Sequence, residues 1–337
     1  MKTLGTGNYI VSSDYLILLA ELAFEHGISA ADLLRDSGLP EELLFQPGVL
    51  VGHDSALRVV EQFCALTNDL SIALEYGKRM TLSKHGALGY AAQYSATMAD
   101  AADKVTRYVE TRAQIFSIAR DASEHERHLF IEPRFNNKVA GAFLSLAFLA
   151  SIETICRTLV GPVGREAESR ILTSIETDFS AQQILPHCRV ISSAGENSLN
   201  WPADVLVHPL PFFNPQLEGM AEQQLQSALT HLNQGRPVTA KVRQILENRL
   251  PELPTVETVA GLLCMSAATL NRKLKADGNS FQQLKDDVRF QHAQALLRTE
   301  LPVDLVAERL GFSDASNFAK AFKTWAGVSP SQFRLQQ

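Results

Sequence analysis

The sequence predicts a mixed α/β (α+β) N-terminal domain followed by an all-α C-terminal domain that contains two helix-turn-helix units. The chain has 337 residues, 45% of them hydrophobic, which is enough for two separate cores. Strand-like patterns stop near residue 210, and the chain after Thr239 is almost wholly helical in pattern. We therefore predict domains at residues 1–232 and 239–337, joined by a linker at residues 233–238.

The first hundred residues have the spacing of helices. Residues 30–44 place apolar side chains three and four positions apart on both sides of a turn at Gly38 and Pro40. The same spacing recurs in residues 53–69. Thr97 stands where the N-cap of a further amphipathic helix belongs. The N-terminal domain is therefore expected to begin as a set of packed helices.

After residue 115 the pattern changes to short strands. Residues 116–135 contain two strand-like runs about a polar turn, which is typical of a hairpin. Further strands are predicted within 169–179 and 187–193, and Pro202 indicates a sheet edge or a turn. A helix is expected at 214–232. These strands supply the β part of the N-terminal domain.

Two apolar segments are predicted to be helices of a soluble protein. The run Val139–Ile152 is shorter than the ~20 residues that a membrane-spanning helix needs, so it predicts a buried helix. Asp14 and Glu21 interrupt the apolar run near the N-terminus, which therefore predicts a first helix instead of a secretion signal. No contact with a membrane is expected.

The sequence contains none of the common motifs for catalysis or metal binding. The chain has no glycine-rich phosphate loop, no GxSxG elbow and no clustered carboxylate or Cys/His signature, so we predict neither an enzyme nor a cofactor. The segment His125–His128, HERH, lacks the HExxH spacing, and solvated histidines in a hairpin turn are favoured over a metal site. The four cysteines are Cys64, Cys156, Cys188 and Cys264. They form no CxxC pair, which favours reduced thiols in a cytosolic protein.

The charge is distributed unevenly along the chain. Residues 238–337 hold 13 Lys and Arg against 10 Asp and Glu, a net charge of +3. The preceding residues hold 18 basic against 27 acidic side chains, a net charge of −9. A basic segment in an acidic chain suggests contact with nucleic acid, although +3 alone is a weak signal.

The first helix-turn-helix unit is predicted at residues 255–281. A short helix over Val256–Leu263 precedes a turn at Cys264 and Met265, and Ser266 occupies the N-cap position of the second helix. Leu270 and Leu274 are four residues apart and are expected to face inward. The outward positions are then Ala268, Asn271, Arg272 and Lys275.

The second unit repeats this layout. A helix over Val303–Leu310 is followed by Gly311, and Ser313 or Asp314 is expected to cap the next helix. The inward residues are predicted to be Phe318, Phe322 and Trp325. The outward residues are predicted to be Ala315, Ser316, Asn317, Lys320 and Lys323.

Two such units side by side suit the reading of DNA. The second helix of each unit would enter a major groove, where Arg pairs with guanine and Asn with adenine while Lys contacts phosphates. One unit alone is more often ordinary helical packing. Here, however, a helical spacer at residues 281–298 could hold two recognition helices about 34 Å apart, one turn of DNA. Double-stranded DNA is therefore the predicted partner.

The segment from Thr239 to Arg334 resembles the double helix-turn-helix domain of the AraC/XylS family of bacterial transcription regulators. The resemblance is carried by VAERLGFSDASNFAKAFKTWAGVSPSQFR, with its Gly-Phe-Ser-Asp turn, its spaced Phe pair and its Ser-Pro near the end. Cys264 departs from the family, which commonly has Gly in the first turn. The resemblance implies base-reading roles for Ala268, Asn271, Arg272, Ala315, Ser316, Asn317 and Lys320.

Residues 84–116 and 197–218 resemble the arabinose-binding-like N-terminal domain of a subgroup of this family. The resemblance implies a small-molecule effector, although not that the effector is a sugar. Aromatic and polar side chains that occur together are candidates for its pocket, namely Tyr90, Tyr94, Tyr108 and Arg112, with Phe116 beside them. The alternative for each is packing in the core or between domains.

Together these features predict a cytoplasmic, sequence-specific bacterial transcription regulator. The resemblance implies an activator that is controlled by an effector, contacts RNA polymerase and can form a homodimer. The alternative is an N-terminal domain that binds no ligand and serves only in dimerisation or in docking of a partner protein. A family relative that repairs DNA through a zinc-bound cysteine is set aside, because it needs four thiolates near the N-terminus and the first cysteine here is Cys64.

Overall fold

The structure, a computed structural model, describes residues 4, 9–122, 126–162, 167–177, 179–233, 238–247, 249–297 and 301–335. The chain divides into two compact units, Met1–His231 and Leu232–Gln337, called here the N-terminal and the C-terminal unit. Most of the predicted linker, residues 234–237, lies outside the described residues. The two units are therefore treated separately.

The N-terminal unit contains helices and strands in the mixed order that the sequence predicts. Its helices are α1 (Ser13–Glu25), α2 (Ala30–Leu33), α3 (His53–Thr67), α4 (Ile72–Arg79), α5 (Ala87–Gln93), α6 (Met98–Tyr108), α7 (Lys138–Val160), α8 (Ala203–Leu206) and α9 (Pro215–Asn233). Its strands are β1 (Ile10–Ser12), β2 (Leu50–Gly52), β3 (Phe116–Ala122), β4 (Glu126–Pro133), β5 (Ser169–Leu172), β6 (Cys188–Ile191) and β7 (Ser198–Pro202).

Five of the strands form one sheet in the order β3-β4-β7-β5-β6. The predicted hairpin of β3 and β4 is confirmed, with Phe116 opposite Pro133. Strand β7 lies at the centre of the sheet, and Pro202 stands at its last residue, where the missing N–H leaves the ladder intact. The three-residue strands β1 and β2 pair apart from this sheet.

Helix α7 is the buried centre of the N-terminal unit. The Asn137 side chain accepts a hydrogen bond from the Ala140 N–H at its start, and Gly161 ends it with a positive φ of 65°. By length and composition α7 could cross a membrane, but 67% of its apolar window is buried inside the protein. Its apolar residues join the main hydrophobic core with α3 and α4, as the sequence predicts for this segment.

Helix α9 packs on the outside of α5 and α6 through a separate apolar cluster. Ala221 and Leu225 of α9 contact Leu88, Tyr108 and Val109 in this cluster. The Tyr108 hydroxyl lies 3.1 Å from the Glu222 carboxylate and 3.2 Å from the Gln226 side-chain oxygen, both on α9. The last helix of the N-terminal unit is thus held by apolar and polar contacts together, and residues 234–237 follow it directly in the chain.

Helices are the only regular secondary structure in the described residues of the C-terminal unit. It contains α10 (Val238–Glu247), α11 (Val256–Leu262), α12 (Ala267–Ala276), α13 (Phe281–Leu297), α14 (Val303–Arg309), α15 (Ala315–Ala326) and α16 (Pro330–Leu335). Leu270 and Leu274 lie in one hydrophobic core, and Phe318 and Phe322 lie in another. Each predicted helix-turn-helix unit therefore has a core of its own.

The turns of the two units have the same backbone geometry. Met265 N–H donates to Ala260 O at 2.9 Å, and Phe312 N–H donates to Ala307 O at 3.0 Å, as in a Schellman motif. The residue before each donor has a positive φ, 54° at Cys264 and 73° at Gly311. Cys264 is exposed and keeps the turn at a backbone cost of about 1–2 kcal/mol. The departure from glycine in the first turn thus leaves the fold intact.

Gly311 faces a steric constraint that Cys264 escapes. A Cβ atom at Gly311 would lie 2.1 Å from the carbonyl oxygen of Pro251, whereas a Cβ atom at Gly327, which also has a positive φ of 77°, would meet nothing within 4 Å. Only glycine fits at Gly311 without a shift of the backbone of Pro251.

We predict that Gly311→Ala destabilises the C-terminal unit by about 2 kcal/mol more than Gly327→Ala. Both substitutions force alanine into a backbone conformation with positive φ, but only the alanine at position 311 also clashes with Pro251. Trp201 lies in the N-terminal unit and Trp325 in the C-terminal unit, and the chain has no other tryptophan. Urea unfolding of the whole chain in a Trp201→Phe background, followed by Trp325 fluorescence, measures the difference. Equal losses of unfolding free energy in the two variants would show that the clash with Pro251 does not destabilise the protein.

Candidate nucleic-acid interface and ligand cavity

Helix α12 presents the predicted outward residues to solvent. Its N-cap is Ser266, whose hydroxyl oxygen accepts a hydrogen bond from the Thr269 N–H, and Leu270 and Leu274 are fully buried on the opposite side. The exposed side chains include all four predicted positions, Ala268, Asn271, Arg272 and Lys275. The face therefore combines a fork of guanidinium donors, an amide and an ammonium group without an acidic neighbour among these four.

Helix α15 presents a similar face with one correction. Asp314 is the N-cap, and its carboxylate accepts a hydrogen bond from the Asn317 N–H at 2.8 Å. Four of the predicted positions are exposed, namely Ser316, Asn317, Lys320 and Lys323. Ala315, predicted to face outward, is instead partly buried and packs against the core around Phe318, because it lies beside the apolar seam.

The side-chain amide of Asn317 is already engaged within the cap. Its Nδ2 donates to Ser313 Oγ at 3.0 Å and to Asp314 Oδ2 at 2.8 Å, which uses both of its hydrogens. The hydrogen bond from the Asn317 backbone N–H is the first cause that lowers the pKa of Asp314, so the acceptor is charged at neutral pH. To form a bidentate pair with adenine, Asn317 would have to break a side-chain hydrogen bond within the cap. The sequence pattern alone does not reveal these hydrogen bonds.

Helix α13 joins the two recognition units into one body. Leu284 and Val288 lie in the first core, while Ala293 and Leu297 lie in the second. Arg289 in the middle of α13 donates to the carbonyl oxygens of Leu310 at 3.1 Å and of Gly311 at 3.3 Å. Its guanidinium carbon also lies 4.7 Å from the ring centre of Phe312. Arg289 thus fixes the second turn to the spacer helix. The sequence alone does not reveal this role, because Arg289 occurs there as one of several polar residues of a helix.

The N-terminal unit contains a cavity between α1, α3, α7 and the start of the large sheet. The cavity has a volume of about 80 Å³, well above what a single water molecule needs. Apolar side chains form nearly all of its wall, including Leu16, Val60, Phe116 and Phe148. A partly open apolar space of this kind suits a small molecule better than water.

Polar groups meet at one place on the cavity wall. The Tyr15 hydroxyl lies 2.9 Å from Nδ1 of His85, and Ser151 Oγ lies 3.5 Å from Nε2 of the same ring. Burial, with a further contribution from the Arg112 charge, lowers the pKa of His85 to about 4, so the ring is neutral at neutral pH. Sequence reasoning missed this trio because its members come from α1, the segment after α4 and α7.

Of the five predicted effector residues, one lies in the cavity wall. Phe116 lines the cavity, but Tyr90 is 49% exposed and Tyr94 and Tyr108 are not in the cavity wall. Tyr108 packs against α9 instead. Arg112 forms an ion pair with Asp14 and donates to the Lys84 carbonyl oxygen at 3.0 Å, so it stands behind Tyr15 and outside the wall.

Within the described residues no three His, Cys, Asp or Glu side chains are placed to hold a metal ion. The predicted solvated segment HERH is only partly covered, because His125 lies outside the described residues. His128 stacks with Phe130 on β4, at 5.9 Å between ring centres.

The fold and the paired recognition helices define a DNA-binding regulator with a separate N-terminal unit. Residues 259–336 match a helix-turn-helix domain family, and residues 27–210 match the family described as the arabinose-binding domain of AraC transcription regulator, N-terminal. The chain therefore belongs to the AraC family of transcription regulators, and it is a DNA-binding regulator with an arabinose-binding-like N-terminal domain.

Similar proteins include regulators of Pseudomonas aeruginosa. The ornithine utilization regulator is 28% identical over 331 residues, which covers 96% of each chain. The regulator VqsM is 32% identical over 145 residues, 40% of this chain and 42% of VqsM. The crystal structure of the transcriptional regulator CdpR covers 96% of this chain and 98% of its own, with 20% identity and a TM-score of 0.46.

We predict that the N-terminal unit loses stability as the pH falls from about 6.5 to about 4. In this window the unfolded chain binds a proton at His85 that the folded chain does not bind, so the loss grows as pH falls and levels off near the folded pKa of about 4. The full loss is about 3 kcal/mol at most. Urea unfolding of Trp325→Phe, followed by Trp201 fluorescence, measures it.

A His85→Asn variant is the matched control for this pH dependence, since asparagine retains a side-chain amide and does not titrate. Its slope of unfolding free energy against pH between 4 and 6.5 should be flatter by about one proton. Identical slopes for the two chains would contradict the buried, neutral state of His85.

Proposed function

We propose that this chain is a sequence-specific regulator whose helices α12 and α15 read two successive major grooves of its operator. The observation that carries the proposal is the pair of exposed faces on helices that begin at a capped N-terminus and are held by one spacer helix, α13. Such a frame fixes the distance and angle between two reading helices before DNA is met.

Specificity would rest mainly on α12. Arg272 is exposed and can pair with guanine O6 and N7, and Asn271 beside it can pair with adenine. Lys275, Lys320 and Lys323 would contact phosphates and add affinity that depends on salt. Ser316 and Asn317 would read bases from α15 only after the amide of Asn317 leaves its cap.

We predict that Arg272→Ala weakens binding to the specific site by about 5- to 150-fold, the range of one bidentate base contact, with little change for unrelated DNA. Lys275→Ala should weaken binding to all sequences and reduce the slope of log affinity against log salt by about one. Fluorescence anisotropy with DNA from upstream of the chain's own gene, at several salt concentrations, measures both.

Lys273→Ala is the matched control, because Lys273 is exposed on the same helix but on a different side from Arg272 and Lys275. It removes the same charge and should affect site-specific binding far less. If Arg272→Ala and Lys273→Ala behave alike, α12 does not read bases.

The second part of the proposal is that a small molecule in the cavity controls DNA binding or transcription. Leu88, Val105, Val109 and Phe148 form part of the cavity wall and also belong to the cluster that packs against α9. A ligand that changes this shared wall would bias the packing of α9, which leads directly into residues 234–237. Differential affinity for two such packings is what an effector requires.

In this proposal the chain acts in the bacterial cytoplasm as an activator that contacts RNA polymerase, and it binds its operator as a homodimer. The apolar cavity supports the effector-controlled function over the alternative in which the N-terminal unit serves only in dimerisation or docking. The alternative would need no internal space.

We predict that Ala113→Leu, which fills part of the cavity, abolishes effector-dependent transcription while DNA binding in vitro is retained. Ala113 lines the cavity, whereas Ala142 is partly exposed on α7 and lies outside the cavity wall, so Ala142→Leu is the matched control. A reporter fused to the upstream DNA, in the bacterium that encodes the chain, measures the response. A native response from Ala113→Leu would favour the docking alternative.

A further inference from the structure

We infer that the cavity binds an uncharged, mainly hydrocarbon molecule that carries a single hydroxyl group, and that the Tyr15 hydroxyl receives this group. The inference rests on the proposed function, since it assigns the chemistry of the proposed effector site. It is drawn from three properties of the cavity: its charge, its hydrogen-bonding capacity and its apolar wall.

No Lys, Arg, Asp or Glu side chain is among the described residues of the cavity wall. Arg112, whose guanidinium carbon lies 5.7 Å from the ring centre of Tyr15, forms an ion pair with Asp14. A carboxylate or an ammonium group on the ligand would therefore be buried without an opposite charge, which is strongly unfavourable. An amino acid carries both groups and does not fit this wall.

The hydrogen-bonding capacity of the wall is small and concentrated. Tyr76 lines the cavity, but its hydroxyl donates to the Tyr15 carbonyl oxygen at 2.6 Å and is used. Ser151 Oγ is within 3.4 Å of the Met80 carbonyl oxygen and interacts with His85. The remaining capacity lies on the Tyr15 hydroxyl, which has one O–H and two lone pairs and keeps one position for the ligand beyond its contacts with His85 Nδ1 and the Arg112 guanidinium.

A ligand hydroxyl both donates and accepts, so it satisfies Tyr15 in either tautomer of His85. A pentose has several hydroxyls, and all but one or two of them would lose their hydrogen bonds to water without replacement. The wall therefore excludes arabinose, although the domain matches a family described as arabinose-binding. The hydrocarbon part of the ligand would contact Leu16, Val60, Phe116 and Phe148.

The test uses the full chain with straight-chain alcohols of four to eight carbons as probes. The matched carboxylates, L-arabinose and L-ornithine are the comparison ligands. Binding is measured at pH 7.5 as the shift of the Trp201 unfolding transition in Trp325→Phe, which reports the N-terminal unit. At least one alcohol should bind tenfold or more tightly than its carboxylate, and neither arabinose nor ornithine should shift the transition.

Two variants locate the site. Tyr15→Phe removes one hydroxyl and should weaken alcohol binding about fivefold, the equivalent of one hydrogen bond. The matched control Tyr90→Phe removes an exposed hydroxyl outside the wall and should leave the affinity unchanged. Ala113→Leu should abolish alcohol binding. The free energy of unfolding of each variant without ligand separates lost binding from lost folding.

Three outcomes would overturn the inference: a carboxylate that binds as tightly as its alcohol, binding of arabinose or ornithine that Ala113→Leu abolishes, or alcohol binding that Tyr15→Phe and Ala113→Leu both leave unchanged. If no alcohol binds while Ala113→Leu still abolishes the transcriptional response, the ligand class is wrong and the proposed effector site stands. If Ala113→Leu leaves the response intact, the proposed function itself fails.

Discussion

Helix α13 is the element on which the geometry of the C-terminal unit depends. Its first half lies in the core of one helix-turn-helix unit and its second half in the core of the other, so neither recognition helix can move without disturbing α13. Arg289 adds hydrogen bonds to the carbonyl oxygens of the second turn. A single helix thus joins two small cores into one DNA-binding unit.

The N-terminal unit combines a buried central helix with an apolar cavity beside it. Helix α7 is buried along most of its length and fixes the core, whereas the cavity lies between α7 and the helices around it. Leu88 and Val109 belong both to the cavity wall and to the packing of α9. In the proposed function, a ligand that altered the packing of these shared residues would directly alter the packing of α9, the last helix before residues 234–237.

Local patterns predicted the local features well. The N-caps at Thr97 and Ser266, the hairpin of β3 and β4, the buried helix α7 and both helix-turn-helix units follow from spacing and capping within a few residues. Strands β1 and β2 have three residues each, too few to show the alternation of apolar and polar residues that predicts a strand. The central position of β7 in the sheet depends on its pairing with β4 and β5, which are distant in sequence. The partial burial of Ala315 and the cap bonds of Asn317 also depend on packing.

The sequence by itself determined the family, the two-part organisation and the exposed face of α12, because helical period, caps and turn residues act between neighbours in the chain. Only the tertiary structure decided where the apolar cavity lies. Tyr15 and His85 are 70 residues apart in sequence and meet because α1 packs beside the segment that follows α4. Tyr90 and Tyr94 have aromatic rings with polar tips but are not part of the cavity wall, since residue type does not determine which neighbours a folded chain brings together.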